Sequence, residues 1–166
     1  MIILGIDPGY ALVGYGVIEK TNKYTKVLDY GVIETFKNEK MADRLNKVFD
    51  GITYLIEKYN PDYFAMEELF FQNNQKTAIN VAMARGVILL AATKKLGSEK
   101  LYEYTPLQIK QALTGNGRAE KHQVQFMVKA ILNLNAVPKP DDAADALAVA
   151  ICHSQTNLVL SGTDIK

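Results

Sequence analysis

Acidic side chains stand at the ends of predicted secondary-structure elements, where they are free to do chemistry. Asp7 closes the apolar run IILGID, immediately before the turn residues Pro8 and Gly9. Proline cannot donate a hydrogen bond to a sheet ladder, so strand pairing weakens there and the aspartate is left at the strand end. An Asx-turn would explain Asp7 taken alone. Asp7 therefore becomes a candidate site residue only together with other acids.

A second acidic position follows a later apolar run, YFAMEE, which ends in Glu67 and Glu68. Adjacent residues of a strand point to opposite faces of the sheet, so at most one of the two shares a face with Asp7. Strand geometry does not say which one, and both side chains could equally be solvated.

The third group of acids opens the predicted helix PDDAADALAVAICH, in which Asp141, Asp142 and Asp145 precede an apolar stretch. Capping and the helix dipole explain one or two acids at a helix entry. Asp145 shares a helix face with the other two and is not needed for a cap. Clustered carboxylates ionise together only around a cation, and oxygen donors alone select Mg²⁺ or Mn²⁺. Two such ions can promote phosphodiester cleavage.

Hydrophobic periodicity predicts the elements that must position these acids. IILGID is a short apolar run that ends in the turn signal Asp-Pro-Gly, and the runs LVGYGVIEK and TKVLDYGVIET alternate at period two. Together these three runs predict an antiparallel meander. A helix over 41–59, the strand YFAMEELF, the helix TAINVAMARGVILLAATKK and the strand KLYEYT follow, and then the helices PLQIKQAL, KHQVQFMVKAIL and DDAADALAVAICH. The predicted fold class is α/β, with a mixed central sheet flanked by helices. We expect one domain over residues 1–156 and a loose C-terminal tail over 157–166.

Composition is that of an ordinary globular protein. The chain has 166 residues, of which 48% are hydrophobic and 22% charged, which suits one domain with a real core. No run resembles a membrane span or a signal peptide, so a cytoplasmic protein without a membrane partner is expected. The only cysteine, Cys152, excludes an internal disulfide and a cysteine zinc cluster, and we expect it to be a buried thiol.

Charge is distributed unevenly along the chain. The segment from Lys76 to Lys139 contains ten basic and three acidic residues, a balance of +7, although the net charge of the whole chain is +1. Such asymmetry can mark a face that binds a polyanion, and it can equally be solvated surface.

Glycines surround the first acid in unusual density. Gly5, Gly9, Gly14 and Gly16 leave the backbone near Asp7 bare, and we expect this to permit the close approach of a bulky ligand. The only two histidines, His122 and His153, are not required by two-metal cleavage, so surface or packing roles are expected for them.

Six segments carry a resemblance to a known family. The segments ILGIDPG, GYGVI, PDYFAMEELF, ARGV, QIKQALTGNGRAEK and DAADALAVA resemble, in order and spacing, the RuvC family of bacterial Holliday junction resolvases, from about Ile2 to about His153. The resemblance implies a ribonuclease H-like fold, a homodimer, and two Mg²⁺ ions per active site, for which Mn²⁺ could substitute. It implies paired nicks in opposed strands of a four-way DNA junction, leaving 5′-phosphate and 3′-hydroxyl ends, in homologous recombination and repair. The RuvA and RuvB branch-migration proteins are the implied partners.

The resemblance also assigns roles to individual residues. Its catalytic and metal-binding acids fall on Asp7, Glu67, Asp142 and Asp145. It thereby selects the first glutamate of the pair, and it places Asp142 rather than Asp141 before the two alanines. Asp141 is then expected to be a helix cap.

Four further residues are implied to contact DNA. Phe70 is expected to stack on a base at the junction centre, a contact that contributes roughly 1–3 kcal/mol. Lys110 and Lys121 match family lysines near the scissile phosphate, and Arg118 in the loop GNGR is a candidate phosphate contact. The role of Phe71 is left open, because neighbouring strand residues cannot both face one side.

Several alternatives accompany these expectations. The alanine-rich helix is expected to form the dimer interface, and the alternative is ordinary packing on its own sheet. For function, one alternative is an ATP-binding domain of the actin and sugar-kinase type, which also opens with Gly-Ile-Asp-x-Gly but needs a second lobe for which this chain has no room. The others are a non-catalytic junction-binding relative and a related nuclease acting on RNA or on other branched DNA.

Overall fold

Five strands form one mixed sheet in the order β3-β2-β1-β4-β5. The computed structural model describes residues 1–69 and 75–156, without the side chains of 75–77. Phe70, Phe71 and the predicted tail over 157–166 lie outside the described residues. In chain order the elements are β1 (Ile2–Asp7), β2 (Leu12–Lys20), β3 (Thr25–Glu34), α1 (Met41–Tyr59), β4 (Tyr63–Glu67), α2 (Gln75–Leu96), a 3₁₀ turn (Ser98–Lys100), β5 (Leu101–Tyr104), α3 (Pro106–Thr114), α4 (Lys121–Ile131) and α5 (Asp141–Gln155).

The strand directions confirm the predicted meander and the parallel strands after it. β1 pairs antiparallel with β2, and β2 pairs antiparallel with β3. On its other side β1 pairs parallel with β4, which in turn pairs parallel with β5. The C-terminal ends of β1, β4 and β5 therefore meet at one edge of the sheet.

Strand β4 ends earlier than its sequence suggests. The predicted strand YFAMEELF runs to Phe70, whereas β4 stops at Glu67. Its partner β5 has no residues left to pair, because Glu67 already lies opposite Tyr104, the last residue of β5. The chain then turns into α3 through a capping box, in which the side chain of Thr105 accepts from the backbone N–H of Gln108 and the Gln108 side chain accepts in return.

Alternation along the strands builds a hydrophobic layer on each face of the sheet. One layer lies between the sheet and helices α1 and α2, and its fully buried members include Leu4, Ile6, Val17, Phe64, Ile52 and Ile88. The other lies between the sheet and helices α3, α4 and α5, and includes Ile3, Ile18, Ala65, Val128, Leu147 and Ile151. The sheet is thus covered by helices on both sides, as predicted.

Helix α5 lies directly on the backbone of β1 and β2. A Cβ atom on Gly5 would come within 2.3 Å of the Ala146 carbonyl oxygen. A Cβ on Gly14 would come within 2.1 Å of the Asp142 carbonyl oxygen. We call Gly5, Gly14 and Gly16 the glycine seat, because atoms of α5 fill the space that a Cβ atom would need at each of them.

The glycine seat corrects one expectation. The bare backbone near Asp7 admits a helix of the same chain and not a ligand, because α5 residues fill the space at Gly5, Gly14 and Gly16. Gly9 has a different reason: its Cβ would lie 1.9 Å from the Leu12 carbonyl oxygen, so this residue permits a tight turn.

The C-terminal end of α5 packs into an aromatic cluster around His153. The Tyr104 hydroxyl and His153 Nδ1 are 2.8 Å apart, and the rings of Tyr63 and Tyr102 lie 4.9 and 4.7 Å from the imidazole. Nε2 has no hydrogen-bond partner among the residues that the structure describes. Burial lowers the pKa of His153 to about 4. The packing role expected for His153 and the buried thiol expected for Cys152 are both confirmed.

The neutral imidazole predicts an acid-sensitive fold. The unfolded chain binds a proton at His153 below pH 6.5, whereas the folded chain does so only near pH 4. The stability that the neutral His153 contributes is therefore fully present above pH 6.5, and it is lost as the pH falls toward 4. Between pH 7.5 and 5.0 the free energy of unfolding of the wild type should drop by about 2 kcal/mol more than that of His153→Phe. Urea titrations at both pH values measure the difference.

The matched control for this comparison is His122→Phe. His122 lies on α4 with an exposed side chain. This variant should keep the pH dependence of the wild type, and a His153→Phe protein that also kept it would contradict the prediction.

Candidate active site

Two strand ends bring the first two acids together. β1 and β4 run parallel, with Ile6 opposite Met66. The next residue of each strand is Asp7 and Glu67, so their carboxylates leave neighbouring strands at the same edge of the sheet.

The glycine seat adds the other two acids. Gly14 pairs with Asp7 across the ladder, and the Asp142 backbone rests on Gly14. The first turn of α5 is therefore held over the end of β1, and Asp145 follows one turn later on the same helix face. Half of the acidic cluster thus depends on the close contact between α5 and the sheet.

Electrostatics confirm the proximity of the four carboxylates. Burial raises the pKa of Asp7 to about 8, and repulsion from Glu67, Asp145 and Asp142 adds to this effect. The ammonium group of Lys121 opposes it. A carboxyl group with this pKa is largely protonated at neutral pH until a cation joins it.

The pKa values of Glu67 and Asp145 are shifted in the same direction as that of Asp7. Burial, followed by repulsion from Asp145, raises the pKa of Glu67 to about 7, while Lys121 and Lys110 act against the increase. The pKa of Asp145 is also raised, first by burial, although its hydrogen bond with Lys121 lowers it. The cluster therefore holds more carboxylates than its two lysines offset.

A cleft beside the acids contains the two predicted lysines. It has a volume of about 300 Å³, and its lining residues are Glu67, Pro106, Ile109, Lys110, Lys121, Val124, Asp145 and Ala148. Lys121 Nζ is 2.8 Å from an oxygen of Asp145 and 3.5 Å from one of Asp141. The cleft has an apolar floor from α3, α4 and α5, with charged groups around it.

Asp141 is not the hydrogen-bonding cap that the sequence suggested. Pro140 occupies the position before the helix, and no side chain caps it. Asp141 lies inside the first turn, where its carboxylate is paired with Lys139 Nζ at 2.7 Å and with Lys121. Its contribution to the helix is charge near the positive end of the dipole.

The remaining predicted residues fall in different places. Glu68 is separate from the acids and lines a smaller cavity with Arg85 and Glu103, which form an ion pair of 2.6 Å. Arg118 is exposed in the loop after α3 and does not line the cleft. Phe70, with Phe71, lies outside the described residues.

The donor set fits a hard divalent cation. Four carboxylates without imidazole or thiolate suit Mg²⁺ or Mn²⁺. Burial and the neighbouring acids raise the pKa of Asp7 and of Glu67, which a cation between the carboxylates would counteract. Within the described ranges, however, no three Asp, Glu, His or Cys side chains are already close enough to form a complete metal site.

One group near the site escaped sequence reasoning. The buried Arg44 of α1 stacks on Tyr10, three residues after Asp7. A signal was present, because Arg44 lies at helical spacing with Val48 and Ile52, on the apolar side of the helix.

Comparison with known proteins identifies the family. The family model for crossover junction endodeoxyribonuclease RuvC matches residues 3–153. The chain belongs to the RuvC family of crossover junction endodeoxyribonucleases.

Curated relatives carry the same description. The RuvC of Halothermothrix orenii is 56% identical over 156 residues, which cover 94% of this chain and 93% of the relative. The RuvC of Clostridioides difficile is 55% identical over 157 residues, covering 95% and 92%. The resemblance to this family is thereby confirmed, and with it the prediction of a nuclease.

Solved structures support the ribonuclease H-like fold. RuvC of Thermus thermophilus in complex with a Holliday junction substrate superposes with a TM-score of 0.86 at 35% identity, covering 93% of each chain. Membership of the RuvC family excludes the alternative of an ATP-binding domain of the actin and sugar-kinase type.

No helix in the part of the chain that the structure describes is long and apolar enough to cross a membrane.

Proposed function

We propose that the chain resolves four-way DNA junctions by metal-assisted hydrolysis of one phosphodiester in each of two opposed strands. The observation that carries this proposal is the convergence of Asp7, Glu67, Asp142 and Asp145, where burial, with added repulsion from the other three acids, raises the pKa of Asp7 to about 8. The solved complex of a RuvC homologue with a Holliday junction supports the choice of substrate.

Each carboxylate has a role as a ligand. Asp7, Glu67, Asp142 and Asp145 would hold two Mg²⁺ ions, for which Mn²⁺ could substitute. When bound, these ions would lower the pKa of an attacking water and stabilise charge on the departing 3′-oxygen, so that the ends are 5′-phosphate and 3′-hydroxyl.

Positive side chains of the cleft would hold the DNA strand. Lys110 and Lys121 face the carboxylates from α3 and α4, so a phosphate that enters the cleft meets two ammonium groups. Arg118 and Phe70 are proposed as more distant contacts, to a phosphate and to a base. Because phosphate binding releases counterions, junction affinity should fall steeply with salt.

Helix α2 is proposed as the homodimer interface. Of its small residues, Ala84, Ala91 and Ala92 are fully buried in the core of their own chain and are not free for a partner, whereas Ala82 and Gly86 are exposed. The exposed side instead carries Ile79, Met83 and Leu90, which are 62%, 41% and 55% exposed. Gly86 lies on the same side, and nothing lies within 4 Å of where its Cβ would be.

This exposed stripe suits a symmetric contact. Positions 79, 83, 86 and 90 fall on one helix face, and a glycine in its middle permits two helices to approach closely. A two-fold dimer places two identical active sites on a junction that is itself nearly two-fold symmetric. We also propose that residues 1–156 form a single nuclease domain. The RuvA and RuvB branch-migration proteins are its proposed partners.

The decisive experiment uses a synthetic mobile four-way junction. Purified protein should nick opposed strands symmetrically with Mg²⁺ and should be inactive in EDTA. Linear duplex, a branched RNA and a three-way DNA junction of the same sequence serve as competing substrates. Equal cleavage of these substrates would favour a nuclease of broader specificity and would contradict the assignment to four-way junctions.

Lys121 provides a test that separates DNA contact from metal binding. Lys121→Ala should slow junction cleavage about tenfold or more, since the phosphate loses an ammonium contact, worth about 1.4 kcal/mol for each factor of ten. Mn²⁺ binding to the DNA-free protein should persist, and should be tighter because Asp145 is released from its ion pair. Single-turnover cleavage and calorimetric Mn²⁺ titration measure the two effects.

Lys129→Ala is the control for this substitution, because Lys129 lies on the same helix but does not line the cleft. It should leave both cleavage and Mn²⁺ affinity close to those of the wild type. A Lys121→Ala protein with unchanged cleavage would remove Lys121 from the site.

A further inference from the structure

Arg44 is a buried cation that forms no salt bridge with any residue that the structure describes. It is 3% exposed, and none of the ion pairs formed by the described residues includes it. Burying a guanidinium group costs free energy unless its donors are satisfied. Its contacts are therefore informative about why the fold retains it.

The guanidinium group of Arg44 contacts the turn after β1 and Thr35, the residue after β3. Its Nε donates to the Thr35 hydroxyl at 2.9 Å, and one terminal nitrogen donates to the Tyr10 carbonyl oxygen at 3.2 Å. The guanidinium also stacks on the Tyr10 ring, 3.5 Å from its centroid. We call Arg44, Thr35 and Tyr10 the turn clamp.

Thr35 closes the clamp from the other side. Its hydroxyl donates to the Tyr10 carbonyl oxygen at 2.9 Å, and its backbone N–H donates to the Ala11 carbonyl oxygen at 2.9 Å. The Tyr10 carbonyl thus accepts two hydrogen bonds from different elements. The turn is fixed to α1 and to the segment after β3 at the same point.

The clamped turn is the one that ends β1 at Asp7. Only Pro8 and Gly9 separate Asp7 from Tyr10, and Gly9 makes a turn too tight for a side chain. Asp7 is the last residue of β1, so a looser turn would let its carboxylate move away from the other three acids. Two-metal chemistry requires ligand placement to within about 0.5 Å.

We infer that Arg44 is a positioning residue of the active site, which acts through Thr35 and Tyr10 to hold Asp7 against its acidic neighbours. The inference rests on the proposed function, because it requires Asp7 to act as a metal ligand. Arginine suits the role better than lysine, since a planar guanidinium donates to two acceptors and stacks on a ring at once.

Two conservative variants test the clamp. Thr35→Val removes the shared hydroxyl with little change of shape, and Arg44→Lys keeps the charge but not the paired donors. Both should lower kcat for junction cleavage about tenfold to a hundredfold, the range expected when a reacting group is misplaced. Both should also weaken Mn²⁺ binding to the DNA-free protein several-fold, while the Kd for the junction in EDTA stays within threefold of the wild type.

Matched substitutions separate positioning from a loss of stability. Thr35→Ser keeps the hydroxyl and should restore kcat and Mn²⁺ affinity. Thr53→Val makes the same change in α1 at a buried hydroxyl that has no partner among the described residues, and it should behave as the wild type. Cleavage and binding are measured at urea concentrations well below the unfolding midpoint of each variant, so that unfolded protein does not contribute to the measured kcat or affinity.

The outcomes distinguish this inference from the proposed function. If Asp7→Asn is inactive while Thr35→Val and Arg44→Lys keep the kcat and Mn²⁺ affinity of the wild type, the positioning role is overturned and the nuclease assignment stands. If Asp7→Asn cuts junctions at the rate of the wild type, the proposed function itself fails. Reduced kcat in Thr35→Val with rescue by Thr35→Ser supports the clamp.

Discussion

Replacement of Asp7 by asparagine is expected to abolish junction cleavage, with a loss of about a thousandfold or more. Asp7 is the carboxylate that interacts with all three of the other acids, so its removal takes a ligand from the centre of the cluster. Losing a bound ion forfeits several kcal/mol of transition-state stabilisation. Single-turnover cleavage of a synthetic junction with Mg²⁺ measures the rate.

Binding should respond in the opposite direction to cleavage. Asp7→Asn removes one negative charge beside the site of a phosphate, so the Kd for the junction in EDTA should be unchanged or lower. Asparagine has nearly the shape of aspartate and carries no charge to bury, so the urea midpoint without metal should not fall. An inactive variant with an intact fold and intact binding would identify Asp7 as a residue of the chemical step.

Asp50→Asn is the matched control for this variant, because Asp50 is an exposed acid of α1. It should cleave and bind as the wild type does. Normal cleavage by Asp7→Asn would remove the basis of the metal-site proposal.

Substitution of Gly5 by alanine is expected to damage the fold and the site together. The added Cβ would lie 2.3 Å from the Ala146 carbonyl oxygen and 2.7 Å from the Ala150 nitrogen, both backbone atoms of α5. The helix must therefore move away from the sheet or the contact must break. Overpacking of this kind costs about 3 kcal/mol, and a displaced α5 also carries Asp142 and Asp145 away from Asp7.

Urea unfolding and junction cleavage measure these two effects of Gly5→Ala. Gly31→Ala is the control, because its Cβ would meet only the tip of the Tyr15 side chain, at 2.9 Å, and this tip can rotate away. The free energy of unfolding of the control should stay within about 1 kcal/mol of the wild-type value, because alanine loses less conformational entropy on folding than glycine does. A Gly5→Ala protein as stable and as active as the control would show that α5 has room to shift.

Much of the fold was predictable from local patterns. A short apolar run before a turn signal identified β1, period-two runs identified β2 and β3, and helical spacing located α1 and α5 close to their observed bounds. The capping box at Thr105 also follows from the sequence Thr-Pro-x-Gln. These features depend on residues that are neighbours in the chain, so their physical causes are visible in the sequence.

Long-range contacts were predicted less well. The glycines near Asp7 were interpreted as space for a ligand, whereas the space holds α5, more than 120 residues further along the chain. The end of β4 at Glu67 depends on where β5 stops pairing. Asp141 pairs with Lys139 and Lys121 because α4 and the loop before α5 lie beside it. Each of these outcomes depends on tertiary packing, which no local pattern specifies.

The candidate site shows the same division. The convergence of strand ends at Asp7 and Glu67 follows from parallel pairing, but the choice between Glu67 and Glu68 needed the family resemblance. The role of Lys121 as an ion-pair partner of Asp145 was not foreseen, because helix α4 could not be placed from sequence. The turn clamp was missed for the same reason, since its three members come from three different elements.

The position of α5 also bears on events during synthesis. Asp142 and Asp145 lie on the element that follows all five strands in chain order, and they reach Asp7 only when this helix rests on the glycine seat. A nascent polypeptide still attached to the ribosome, or one terminated by a premature stop codon before residue 141, would therefore possess only half of the acidic cluster.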